Sequence, residues 1–266
     1  MNTTTFKLPS GIECEVGEMT GLHQRLLTEQ KGKKLGDNLN EMLASLLVRV
    51  GSTNGPFKVD FVQRMLSADR RTALAQARMF SVPDEEPEEG EEKGKRNFNF
   101  TWKYMDHSGN EQELPKTVDL SEGFPIKPFP SQWNEYDHIE RDVLVNLEGC
   151  GKTVKFSLLD GLGELILANT KKDERSSHTA ILMRNPCFMT KTSNDTVPIR
   201  MGVRDLDNLS LRDIEKLRKA IKEAEGRIDT EIRFEHPDAE RLPKHEKWVI
   251  VDLLDVLAFF FPSEAI

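Results

Sequence analysis

Two short runs carry residue types that do chemistry in other settings, and each lacks one required residue. Cys150-Gly151-Lys152-Thr153 contains the Gly-Lys-Thr that closes a phosphate-binding loop, where the lysine meets phosphate and the hydroxyl meets Mg²⁺. That pattern needs glycine at position 146, which is Asn146. The surrounding residues read as a hairpin turn, with no helix following to offer its N-terminus to an anion. His138-Ile139-Glu140, followed by Pro186-Cys187, approaches the zinc deaminase pattern H-x-E…P-C-x-x-C, but the second cysteine is replaced by Thr190. A site with one ligand missing does not hold its metal tightly. Neither G-x-S-x-G nor H-E-x-x-H occurs, and the histidines at 23, 107, 138, 178, 236 and 245 are dispersed. The three cysteines, at 14, 150 and 187, make neither a disulfide framework nor a four-thiolate zinc site. The expectation is a non-enzymatic chain with no metal and no cofactor.

The 266 residues include 37 basic and 45 acidic side chains, a net charge of -8. Seven of the acids lie in Asp84-Glu85-Glu86-Pro87-Glu88-Glu89-Gly90-Glu91-Glu92, and without them 38 acids face 37 bases. Like charges at this density repel, and Pro87 and Gly90 oppose both helix and strand, so the run reads as a solvated loop. The nearly neutral remainder lacks the concentrated basic face that displaces counterions from nucleic acid. No run approaches the roughly 18 apolar residues of a membrane span, and the opening Met1-Asn2-Thr3-Thr4-Thr5-Phe6-Lys7 has no apolar signal core. The expectation is a protein of a reducing cytoplasm that binds neither nucleic acid nor membrane.

The chain repeats itself. Leu8-Pro9-Ser10-Gly11 with Gly21-Leu22 answers to Leu147-Glu148-Gly149-Cys150-Gly151 with Gly161-Leu162, the glycines standing 140 positions apart. Both stretches read as a hairpin with a glycine turn leading into helix. Leu66-Ser67 resembles Leu209-Ser210 at an offset of 143, each serine being an N-cap candidate for an amphipathic helix. Phe98-x-Phe100 then matches Ile232-x-Phe234 at an offset of 134, and Phe124-Pro125 matches Phe261-Pro262. The offset falls across the acidic run, so the first copy holds an insertion there. The expected fold is α+β, with two similar units from an internal duplication, 1–131 (with an acidic loop at 84–96) and 132–266. Each unit has β-hairpins packed around short helices.

The series Leu8-Pro9-Ser10-Gly11, Leu66-Ser67-Ala68-Asp69-Arg70-Arg71 with Leu74 and Arg78, Phe98-x-Phe100, Val118-Asp119-Leu120 and Phe259-Phe260-Phe261-Pro262 resembles the tailed-phage baseplate hub assembly family, of T-even type. The resemblance spans nearly the whole chain and rests on structural motifs. It implies a structural or assembly protein of a bacteriophage tail, made in the host cytoplasm and either retained in the virion or released after assembly. Such a protein forms the baseplate or central hub by binding hub, tail-tube or tape-measure proteins within a hetero-oligomer. Many relatives carry Cys-x-x-Cys at their hairpins, implying zinc ribbons. This chain has Trp102-Lys103-Tyr104 and His236-Pro237-Asp238 there, so no zinc is expected, and Trp102, Tyr104 and Trp248 are the expected apolar anchors. Phe259, Phe260 and Phe261 are the candidate partner-binding residues, because three consecutive aromatics on a strand cannot all face one core. The competing expectation is a regulatory binding module whose acidic loop docks a basic partner or mimics nucleic acid.

Overall fold

A computed structural model describes residues 2–28, 35–83, 94–169, 178–191, 195–244 and 246–255. The chain opens with β1 (Thr3–Lys7) and β2 (Glu13–Gly17), an antiparallel pair whose turn places Gly11 at φ 88°, a conformation that costs glycine little. Two helices follow, α1 (Gly21–Thr28) and α2 (Leu35–Leu46), then β3 (Leu47–Val50) and β4 (Thr53–Asn54). The four strands form an antiparallel meander in the order β1-β2-β3-β4. Next come α3 (Val59–Arg64), α4 (Ser67–Phe80) and a long hairpin of β5 (Asn97–Met105) with β6 (Glu111–Asp119). A two-residue strand β7 (Ile126–Lys127) and a 3-10 turn at Tyr136–His138 lead onward.

The same order of elements then recurs. A hairpin of β8 (Asp142–Leu147) and β9 (Lys152–Ser157) precedes α5 (Gly161–Asn169) and α6 (Thr179–Leu182). Strands β10 (Cys187–Lys191) and β11 (Thr196–Arg200) complete a second meander of the same connectivity, in the order β11-β10-β9-β8. Then follow α7 (Val203–Asp207), α8 (Leu211–Ala224), a short β12 (Arg227–Ile228) and the hairpin of β13 (Glu231–Glu235) with β14 (Trp248–Asp252). The described chain ends in a 3-10 turn at Leu253–Asp255. The class is α+β, with helices and antiparallel sheets interleaved. No helix among the described residues is long and apolar enough to cross a membrane.

The helical equivalence sits one position from that expected. Helices α4 and α8 each have 14 residues and begin 144 positions apart, as α3 and α7 do. This register pairs Val62 with Leu206, Ala73 with Leu217 and Ala77 with Ile221, all buried. Ser210 is the N-cap of α8, and its Oγ accepts the Asp213 N–H at 3.1 Å. Ser67 is no cap: it is the first residue of α4, and Leu66 holds the cap position. At the α4 terminus the first N–H, that of Ser67, is satisfied across the chain by the carbonyl of Leu159 at 2.8 Å.

Packing crosses the line between residues 131 and 132. The larger core joins Ile12, Cys14 and Val16 of β2 to Met42, Leu43 and Leu46 of α2, with Ala73 and Ala77 of α4. It also takes Tyr136 and Leu253 from the second half. The smaller core packs Val145, Leu147, Val154 and Phe156 of the second meander against Ile214, Leu217 and Ile221 of α8. Burying a side chain of this kind stabilises by about 1.5–3 kcal/mol. The apolar face of α8 therefore closes one side of the smaller core. Strands β7 and β12, one from each half, pair with each other.

Candidate functional site

One run of the series that carries the resemblance, Leu66–Arg71, lies at the junction of the two halves. Residues 65–67 run antiparallel to 159–161: the Gly161 N–H donates to the Met65 carbonyl at 3.0 Å, and the Ser67 N–H donates to Leu159. On the next turn Arg70 is buried and reaches across, donating to Glu164 of α5 and to Asn40 of α2. The Ser67 hydroxyl donates to the other oxygen of Glu164. Burial draws the Arg70 guanidinium down, and the Glu164 carboxylate opposes that by favouring its charge. Gly161 is glycine for a steric reason: a Cβ there lies 2.6 Å from Arg70 Nε.

Asp69, beside it, ties three segments together. Its Oδ1 accepts the Ser10 N–H from the first hairpin turn at 3.0 Å. Its Oδ2 accepts the Tyr136 hydroxyl at 3.1 Å, and that hydroxyl in turn accepts the Leu66 N–H at 2.5 Å. Burial pushes the Asp69 carboxyl up to about 6, against the pull of the Ser10 and Tyr136 hydrogen bonds. Burial likewise raises the Tyr136 phenol. In the second half Asp213 holds the equivalent place, the third residue of α8, and its Oδ1 accepts the Gly149 N–H of the second hairpin turn at 2.9 Å. One device, a buried aspartate in the first turn of a long helix grasping a hairpin turn, occurs twice.

Cys150 and Gly151 lie in the β8–β9 turn, and Lys152 and Thr153 begin strand β9 rather than a helix. The Lys152 ammonium stands 4.3 Å over the Phe188 ring, a cation–π contact instead of a phosphate cradle. His138 ends the 3-10 turn and Cys187 opens β10. Among the described residues no three His, Cys, Asp or Glu side chains are placed to hold a metal ion. The acidic run 84–92 and the partner candidates Phe259, Phe260 and Phe261 lie outside the described residues.

At the hairpins Trp102 stacks on Tyr104 with centroids 4.9 Å apart and meets Phe234 and His236 edge-on. Trp248 is not an anchor. It faces outward on β14 and is half exposed, with Arg233 laid over its ring at 4.5 Å.

What the surface offers is recognition. Strand β11 is a sheet edge with every residue exposed, Val197 and Ile199 side by side on one face, and Pro198 between them to blunt the ladder. An open apolar groove of about 760 Å³ runs between α2 and the β4–α3 turn, lined by Ala44, Leu47, Val48, Pro56, Phe57 and Val59. A cleft of about 240 Å³ lies over the junction, where Arg184 grips Glu225 through two bonds of 2.6 and 2.7 Å and Arg71 pairs with Asp252. Motif reading missed Glu164, Tyr136 and Asp213. The shared signal was an aspartate in the first turn after each Leu-Ser pair. No family model, curated protein or solved structure matches this chain.

Proposed function

We propose that this chain is a structural or assembly protein of a bacteriophage tail, acting in baseplate or central hub formation by binding other tail proteins. One observation carries the reading. The run Leu66–Arg71, one part of the series that resembles the hub assembly family, supplies the buried Asp69 and Arg70 that hold three segments of the fold together. Motif and scaffold coincide. The repeated order of elements supports a common origin for the two halves, and the exposed β11 edge and apolar groove suit partner proteins. The host cytoplasm is the proposed place of assembly.

The experiment is mass spectrometry of purified phage particles beside a pull-down of the tagged chain from infected cells. A building block appears in both, joined to hub, tail-tube or tape-measure proteins. An assembly factor appears in the lysate complex alone. Recovery of no tail protein in either sample overturns the reading.

A further inference from the structure

The contact between the two halves is head-to-tail, and among the described residues it leaves one complementary pair of surfaces unused. Within the chain, the β9–α5 corner at 159–161 docks on the N-terminal turn of α4, with α5 lying against α2, α3 and α4. A heterologous contact of this kind does not saturate itself: the same corner also exists in the first half, and the same receiving turn exists in the second. The free corner is Met19-Thr20-Gly21, at the β2–α1 step. The free receiving turn is Leu209-Ser210-Leu211, ahead of α8.

Several details distinguish the used surfaces from the unused ones. Gly161 is packed against Arg70, whereas a Cβ at Gly21 meets nothing within 4 Å. The Gly161 and Ser67 N–H groups make the bridge between the halves. Their counterparts, the Gly21 and Leu211 N–H groups, have no backbone partner among the described residues. Ser67 is partly buried under Glu164, whereas Leu211 in its place is 83% exposed, the most exposed large apolar side chain described. Val203, which opens α7 as Val59 opens α3, is also exposed, at 44%. The residue types at the corresponding positions differ: Arg70 answers to Ile214 and Glu164 to Gln24, so the charged pair of the inner contact has no charged counterpart in the sequence. An uncovered leucine at the first position of α8 is what a docking surface for a weak apolar contact requires.

We propose that a second copy of this chain occupies these surfaces. The Met19–Gly21 corner of one copy sets against the Leu209–Leu211 turn of the next, repeating the inner contact outward. The product is a ring if the rotation closes and a filament if it does not.

Sedimentation of the purified full-length chain across a concentration series tests this. The wild-type mass rises with concentration beyond twice the chain mass. Leu211→Glu and Gly21→Gln, both at open positions, each hold the protein at the monomer mass while the far-ultraviolet circular dichroism stays that of the wild type. If L211E does not fold, Leu211→Gln at the same open position replaces it. Mixed together, L211E (intact corner) and G21Q (intact receiving turn) form 1:1 dimers and stop there, because only two of the four surfaces in each pair remain intact, one on each chain, and they occupy each other. A wild-type chain that stays monomeric throughout overturns the proposal. So do variants that assemble like the wild type, or a mixture that gives no dimer.

Discussion

Asp69 and Asp213 occupy the same position in the two halves and hold the same kind of turn, yet they are embedded differently. Asp69 is shared between the Ser10 N–H and the Tyr136 hydroxyl and lies in the larger core. Asp213 grasps only the Gly149 N–H and its helix is capped by Ser210, while its Oδ2 is buried with no hydrogen-bond partner. In the first half the device is a three-way tie that takes in the connecting segment. In the second it holds the hairpin turn alone, beside a serine-capped helix end. A repeated element order thus fixes where a polar anchor stands, and its neighbours decide how much of the molecule depends on it.

The sharpest way to break the comparison is to remove both anchors. Asp69→Ala leaves the Ser10 N–H and the Tyr136 hydroxyl unpaired in the interior and is expected to cost about 3 kcal/mol, each buried orphan costing about 1–3. Asp213→Ala strands one N–H at a partly buried turn and is expected to cost about 1 kcal/mol. Urea denaturation of the two variants decides the ranking, and equal losses would sink the three-way tie.

The glycine pair comes next. Gly161→Ala drives a methyl against the Arg70 side chain and is expected to destabilise by about 2 kcal/mol, as overpacking of a filled site does. Gly21→Ala enters open space at a helix start and is expected to stabilise by about 0.5 kcal/mol through the unfolded chain. Thermal melts of the two variants should therefore shift in opposite directions.

A pH series sharpens the aspartate comparison further. Asp69 has a folded value of about 6 against an ordinary 3.8, so the folded protein holds this proton more tightly than the unfolded chain. Its contribution to stability is full below about pH 4 and is lost as the pH rises through about 6. Asp69→Asn keeps an acceptor for Ser10 and removes the titration, so the fall across that window disappears in its urea midpoints. A variant retaining the full wild-type slope would place the titration elsewhere. The smallest expected effect is at Trp248. Trp248→Ala removes an exposed ring stacked under Arg233 and is expected to cost about 0.5 kcal/mol, whereas Trp102→Ala, in the aromatic cluster, costs several times more.

Much of the architecture was legible because it is local. Glycine turns at 11 and 151 and apolar spacing at 214, 217 and 221 announce hairpins and an amphipathic helix without tertiary help. The one-residue slip in the helical equivalence arose because Ser67 and Ser210 look alike in sequence, whereas in the fold the segment at 159–161 satisfies the Ser67 N–H. Glu164 and Tyr136 were not legible. Their roles depend on partners 94 and 70 positions away, and a single sequence carries no sign of such distances. Trp248 misled because an aromatic residue at a hairpin reads as an anchor whichever face of the strand it occupies, and alternation alone does not say which face is covered.

Leu253 has a consequence for the order of events during synthesis. It is fully buried in the core built mainly from the first half, while its N–H donates to Thr230 and its neighbour Asp252 pairs with Arg71. That core is complete only once residue 253 has joined it, and a fragment lacking Leu253 leaves a hydrophobic gap there. Contacts spanning 181 residues, as between Arg71 and Asp252, close late and slowly. Two halves that look separable on paper are therefore obliged to mature together.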